Sequence, residues 1–456
     1  MTRLRPSIAK ASEGYGGQAR LALTGGRILD PASGRDETAD LLIENGRIAR
    51  IAPPGSLGPA PGGQADRTLD CRGKIVAPGF IDLHVHLREP PEAGHDLAAL
   101  AETIATGAAA AVAGGFTTIC AMPNTDPPLD SAERVAYCVA RGREAGLAHV
   151  LPVGAMTRGR AGREPADLAA MRKAGAAAFS DDGADVADEG VFRKVLERAA
   201  KIGAVAICHC EDAALAAGGV LQDGPLALAL GLPGIPNEAE ESAVERACRL
   251  ATDTGCRVHI AHVSTAGAVE SVRRARSAGA PVTAEATPHH LALTHDALRG
   301  RDSVFKVNPP LRCGHDAEAV VEAVRDGTID ALATDHAPHT AAAKAKGLAE
   351  APFGVIGLEA ALPIYVHTLV EPGVLSWAQL VERLTVGPAR VLGLEAGHLR
   401  VGAAADVTVI DPEAPWTIDP ERFASRARNC PFAEWPVRGR VKWTIVAGRV
   451  VYEDCS

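Results

Sequence analysis

The sequence predicts an α/β protein: a (β/α)8 TIM-like barrel over residues 76–394, carrying a small β-sandwich domain assembled from residues 20–75 and 395–456. Three observations point there. Eight apolar, strand-like runs recur through the middle of the chain, separated mostly by Ala/Glu/Arg-rich stretches of helix length. Alternating strand and helix implies parallel strands, and eight such units suit a closed barrel better than a doubly wound open sheet, the structural alternative. The two chain ends share a different texture, short alternating runs that read as half-buried strands. Histidines and an aspartate fall where the middle strands end, and in a barrel those ends gather at one mouth.

In chain order, residues 1–19 contain Arg3, Arg5 and Lys10 but no apolar stretch. They read as a disordered tail rather than a secretory signal or a transit peptide. The first β segment has runs at Leu21–Leu23, Leu41–Ile43 and Arg47–Ile51, with Asn45-Gly46 as a hairpin signal and Pro53–Gly63 as a surface loop. The barrel strands are expected at Ala77–Leu87, Phe116–Met122, His149–Ala155, Ala176–Asp181, Ala204–Cys208, Arg257–Val263, Pro281–Thr287 and Asp330–Thr334. Helical stretches between them include Ser131–Glu144, Gly190–Lys201, Glu238–Thr252 and Asp316–Asp326. The returning β segment has Asp406–Ile410, Val441–Val446 and Arg449–Tyr452.

Composition narrows the function. With 47 Lys+Arg against 56 Asp+Glu, the formal charge of the 456-residue chain is −9, which disfavours nucleic acid as a partner. No apolar run approaches the ~20 residues of a membrane span. The ten cysteines are scattered without a C-x-x-C pair, which predicts free thiols in a reducing cytoplasm. Cys208 and Cys210 flank His209, but structural zinc sites pair their cysteines at wider spacing.

The chemistry concentrates at the strand ends. His84 and His86, two apart on one strand, point to the same side. His209, His262 and Asp335 close three other strands. Imidazoles and carboxylates without thiolates suit zinc or a divalent ion of similar preference. A bridging carboxylate is expected from the fourth strand, where Asp181 and Asp182 stand together and no lysine is present. Spacing does not choose between the two.

Longer stretches carry a resemblance. Gly79–Pro90, Ala113–Thr118, Met122–Thr125, Phe179–Gly183, His209–Asp212, His262–Thr265, Lys306–Arg312, Ala333–His339, Pro352–Gly354, Gly357–Glu359 and Arg428–Phe432 together resemble the dihydroorotases of the bacterial class I type, in the amidohydrolase superfamily. The resemblance runs from about residue 20 to 453. It implies metal ligands at His84, His86, His209, His262 and Asp335, with Asp182 as the bridging carboxylate in place of a carbamylated lysine, and one or two zinc ions per subunit. It also implies substrate contacts from Arg88, Asn124, Asn308 and His339, and from the backbone of Pro352 and Gly354 beneath a flexible loop.

The implied activity interconverts N-carbamoyl-L-aspartate and L-dihydroorotate in pyrimidine synthesis, with cation-activated water attacking the ring amide and Asp335 carrying the proton. Arg88 offers the planar fork of donors that suits a carboxylate; its alternative fate is an ion pair with Glu89 or Asp96. His289 and His290 remain unassigned. Two departures from the family pattern stand out: Ala101 occupies the place of a lysine after a longer loop from Pro91, and Thr340–Lys344 lacks acidic residues. The rival readings are a hydantoinase or allantoinase, and a non-catalytic scaffold for a transcarbamoylase. Expected partners are a small-molecule substrate, further copies of the chain and an aspartate transcarbamoylase.

Overall fold

The computed structural model describes residues 20–57, 65–91 and 96–455. The expected tail at 1–19 lies outside the described residues, as do most of the Pro53–Gly63 loop and part of the loop after Pro91.

The chain ends build one sheet. From the N-terminal side come β1 (Arg20–Asp30), β2 (Arg35–Glu44), β3 (Arg47–Ala52), β4 (Arg67–Asp70) and β5 (Ile75–Pro78). The eight barrel strands are β6 (Phe80–Val85), β7 (Phe116–Ala121), β8 (His149–Ala155), β9 (Ala178–Ser180), β10 (Val205–Cys208), β13 (Arg257–Ile260), β14 (Val282–Ala286) and β15 (Ala331–Leu332), with a short pair, β11 (Leu221–Gln222) and β12 (Gly234–Ile235), between β10 and β13. The C-terminal side returns β16 (Val407–Thr417), β17 (Pro436–Val446) and β18 (Arg449–Glu453). The end sheet runs β18-β17-β16-β5-β1-β2-β3, with β4 on β1. Ile43 and Ile48 from one side of that order share a buried cluster with Val407 and Ile445 from the other, so the sheet folds over a common core. Asn45 and Gly46 both take positive φ (52° and 75°), the primed turn that matches the twist of paired strands.

The run read as one strand from Ala77 to Leu87 is two. β5 belongs to the end sheet and β6 to the barrel, and they part at Gly79. A Cβ there would sit 2.1 Å from Thr117 Oγ1, so only glycine lets the chain cross so close to β7.

Barrel strands follow one another in sequence order with parallel pairing, which excludes the doubly wound alternative, whose order reverses midway. Between β15 and β6 the ladder is replaced by side-chain and loop bonds: Thr334 N–H donates to Asp82 Oδ1 (3.1 Å) and His86 N–H to His336 O (2.8 Å). One apolar cluster joins Ile81, Cys120, Val153, Ala178 and Ile207 from five successive strands, and a larger one packs helices such as Glu189–Lys201 and Ala266–Ser277 onto the strands. Among the described residues no helix is long and apolar enough to cross a membrane.

Candidate active site

Five residues at or just beyond strand ends converge at the mouth. His84 sits on β6, His86 just after it, His209 just after β10, His262 just after β13 and Asp335 just after β15. Asp182, following β9, completes the group. His84 Nε2 lies 3.1 Å from Asp182 Oδ1 and 3.6 Å from Asp335 Oδ1; His86 Nε2 lies 3.0 Å from Asp335 Oδ1 and 3.6 Å from Asp182 Oδ2. His262 Nε2 is 3.7 Å and His209 Nδ1 3.9 Å from Asp182 Oδ1. All six are buried.

The neighbouring Asp181 is occupied elsewhere. Its oxygens accept from the N–H groups of Met156 (2.8 Å) and Thr157 (3.1 Å) and from the Thr157 hydroxyl. Spacing had left the pair open; geometry turns Asp182 to the cluster and Asp181 to the backbone.

Backbone strain marks the same place. Arg88, His262 and Asp335 take φ of 56°, 34° and 47°, a region that costs an L-residue roughly 1–3 kcal/mol and persists only where surroundings enforce it.

The donor set fits a cation. His84 Nε2 and Asp182 Oδ1 face each other at 3.1 Å in poor hydrogen-bond alignment, and His262 Nε2 lies 3.0 Å from His209 Nδ1, so ligand-type atoms crowd together as they would around a shared cation. His84, His86 and Asp335 form one group of ligand atoms within 4.8 Å of one another, and His84, Asp182 and His262 a second. Burial disfavours charge on His84, yet the carboxylates of Asp182 and Asp335 raise its pKa well above the ordinary histidine value. Burial likewise works against Asp182 and Asp335, and the surrounding imidazoles hold both carboxyls well below the usual range. Burial together with the neighbouring His262 pushes His209 down to about 3, leaving a neutral imidazole suited to ligation. No thiol joins either group among the described residues, and burial pushes the Cys208 and Cys210 thiols well up.

A supporting layer escaped the sequence reading. Glu285 on β14 accepts from His84 Nδ1 (2.9 Å) and His259 Nε2 (3.0 Å), while His259 Nδ1 lies 2.8 Å from Thr283 Oγ1. Burial would raise the Glu285 carboxyl, but the two imidazoles outweigh it and hold it at about 2. Anchoring Nδ1 leaves His84 Nε2 facing the cluster. The available signal was a lone acid in the apolar run Val282–Ala286.

Asn124 is placed against the cluster, its Oδ1 2.6 Å from His86 Nδ1 and its Nδ2 donating to Asp182 Oδ2 (3.3 Å). Asn308 Nδ2 lies 3.5 Å from His209 Nε2, and its Oδ1 is buried without a partner. Arg88 Nε donates to Pro338 O (3.2 Å). Its sequence-proposed surface partners are engaged otherwise: Glu89 binds Ile104 N, Tyr137 Oη and Arg141 Nε, and Asp96 caps Ala98 N. His339 Nε2 donates to Phe353 O (2.7 Å), so Arg88 Nη2, 3.5 Å away, faces a second donor rather than an acceptor. Asn429, within the Arg428–Phe432 stretch, accepts from His339 N and donates to Ala337 O and Gly354 O. Pro352 O accepts from Lys344 Nζ and Gly354 N donates to Lys306 O. Of the unassigned pair, His290 bonds Thr287 and Pro309 O, whereas His289 Nε2 has no partner.

A parallel eight-stranded barrel with buried imidazoles and carboxylates able to hold a cation at its strand ends defines a barrel enzyme with a candidate metal site at its mouth, the architecture of the amidohydrolases. Solved structures agree: an L-hydantoinase (dihydropyrimidinase) from Arthrobacter aurescens superposes with a TM-score of 0.82 at 28% identity, covering 95% of this chain and 96% of that one. A D-hydantoinase superposes at 0.78 and 27% identity, covering 95% of each chain. The family model described as Dihydro-orotase-like matches residues 73–268. Curated proteins named dihydroorotase, from Pelotomaculum thermopropionicum and Anaeromyxobacter dehalogenans strain 2CP-1, are each 48% identical over 95% of this chain, covering 99% and 98% of their own lengths. The chain belongs to the dihydroorotase family.

Proposed function

We propose that this chain interconverts N-carbamoyl-L-aspartate and L-dihydroorotate, with zinc held at one or two positions by His84, His86, Asp182, His209, His262 and Asp335. The observation that carries the reading is the buried His/Asp cluster, whose ligand-type atoms gather in two groups each within 4.8 Å, near enough to the Arg88 guanidinium for Asp335 and Asp182 to act on it. When bound, a divalent cation polarises the ring carbonyl and lowers the pKa of water to about 7. The chain's own groups do the rest. Asp335 is held ionised, as a proton acceptor must be. In ring opening it takes the proton of the attacking water and returns it to the departing ring nitrogen; in ring closure it takes the proton of the carbamoyl nitrogen and returns it to the carboxyl oxygen that departs as water. Arg88 binds the substrate carboxylate through its fork of donors. Asn124, Asn308 and His339, with the backbone of Pro352 and Gly354, orient the ring.

The hydantoinase reading has structural neighbours but gives Arg88 little to bind, since hydantoin bears no carboxylate. The scaffold reading leaves a full set of ligand atoms without purpose. Association into homo-oligomers or with an aspartate transcarbamoylase, and residence in a reducing cytoplasm where ten thiols stay free, are part of the same proposal. Turnover of L-dihydroorotate, hydantoin and allantoin, alongside elemental analysis, tests it. Dihydroorotate turnover that chelation abolishes and zinc restores is expected. Preference for hydantoin, or full turnover by verified metal-free protein, would overturn it.

A further inference from the structure

Lys306 and Lys344 are both buried, at 4% and 8% exposure, a rare state for lysine. A buried ammonium is normally paired with a carboxylate. Among the described residues neither lysine has an acid within ion-pair distance. Lys344 Nζ donates instead to the carbonyls of Pro352 (3.0 Å) and Lys306 (3.3 Å). Lys306 Nζ donates to Ala349 O (3.0 Å) and lies 4.6 Å from the centre of the Phe353 ring. Every one of these contacts falls on the segment 349–353 or its support. Phe353 O in turn accepts from His339, and Gly354 is tied to Lys306 O.

The two ammonium groups therefore hold the 349–354 segment against the residues that face substrate, and they bring positive charge that no ion pair among the described residues offsets, Asp302 acting on Lys344 only from beyond ion-pair distance. That charge reaches the mouth: Arg88 and Lys344 both depress the His339 imidazole, beyond what burial does. Burial and the neighbouring Lys306 also push Lys344 down to about 8, against an opposing pull from Asp302. An anion entering beside Arg88 would also attract Lys344, whose charge already acts on His339 at the same mouth.

We propose that Lys344 is a positioning and specificity residue that holds the Pro352–Gly354 segment over the mouth and favours substrates bearing a carboxylate. This rests on the function proposed above. Both the cyclic and the open substrate keep the carboxylate that Arg88 would bind, so both should feel the loss of Lys344.

The test compares wild type with Lys344→Met and Lys344→Arg in the metal-loaded enzyme. Steady-state kinetics in both directions, the melting temperature, and inhibition by the methyl ester of L-dihydroorotate are measured. For Lys344→Met, KM should rise about tenfold in both directions, as the Pro352–Gly354 segment loses its anchor and the mouth loses a positive charge. The turnover number should stay near wild type, and the uncharged ester, which shares the ring contacts but not the charge, should lose clearly less affinity than the substrate. Melting temperature should hold or rise, because Met removes a buried unpaired charge. Lys344→Arg should recover most of the KM. An unchanged KM, equal losses for substrate and ester, or a drop in melting temperature accompanied by parallel losses in KM and turnover number would each overturn the proposal. Failure of wild type to process dihydroorotate would instead remove the parent reading, and this inference with it.

Discussion

Two buried polar clusters lie near the mouth of this barrel, and they differ in one respect. In the first, Arg312 donates to Ser264 Oγ (3.1 Å), Ile235 O (3.2 Å), Asn237 Oδ1 (3.1 Å) and Glu240 Oε2 (3.2 Å). Glu240 also accepts from the N–H groups of Ser264 and Thr265, and Asp316 accepts from Asn237 and Ala266 N. None of its side-chain atoms is left unpartnered. In the second, the His/Asp cluster, His84 Nε2 and Asp182 Oδ1 meet at 3.1 Å without forming an aligned hydrogen bond, and two members have positive φ. Both clusters bury charge, so burial alone separates nothing. Completeness does: a satisfied network holds a loop, whereas an unsatisfied one awaits a ligand.

Four substitutions break or sharpen that contrast. The largest effect is expected from Asp335→Asn. An amide oxygen still ligates weakly but cannot carry a proton, so turnover should fall by ~10²–10⁴ with metal largely retained. Retention of more than about a tenth of the wild-type rate would show that Asp335 is not the proton carrier. Arg88→Met should raise KM for dihydroorotate roughly ten- to 150-fold, the worth of ~1.5–3 kcal/mol in a charged hydrogen bond, at unchanged metal content. Equal losses on an uncharged cyclic imide would make Arg88 structural.

Glu285→Gln should weaken cation affinity ~10–100-fold, measured by competition with a chelator, because His84 loses the carboxylate that orients it. Unchanged affinity would assign Glu285 to the satisfied kind of network. The smallest effect on catalysis belongs to Arg312→Met. Breaking that buried pair should cost about 3–5 kcal/mol in denaturant unfolding while metal content and turnover per folded molecule hold. A loss of metal in this variant would erase the distinction between the clusters.

Much of this was legible in the chain itself, for local reasons. Strand–helix alternation and the placement of His84, His86, His209, His262 and Asp335 depend on period and on motif position, which neighbouring residues carry. The one strand misread, Ala77–Leu87, is a continuous apolar run in which only the close approach at Gly79 marks the passage between sheets. Glu285 and Asp82 were passed over because a single acid in an apolar strand has no local partner to explain it; each finds its partner on a distant strand, Glu285 at His84 and Asp82 at Thr334.

The sequence by itself determined the barrel, the two-ended β domain and the set of ligand-type residues at the strand ends, since residue type and spacing suffice for those. Between Asp181 and Asp182, which spacing left open and the resemblance resolved to Asp182, the tertiary structure supplies the reason: the N–H groups of Met156 and Thr157 claim Asp181. It also decided that Arg88 escapes Glu89, and that Lys306 and Lys344 are buried with no acid in ion-pair distance among the described residues. Each of these is a distance between segments far apart in the chain. Hydrogen bonding and burial act through space, and spacing along the chain does not encode them.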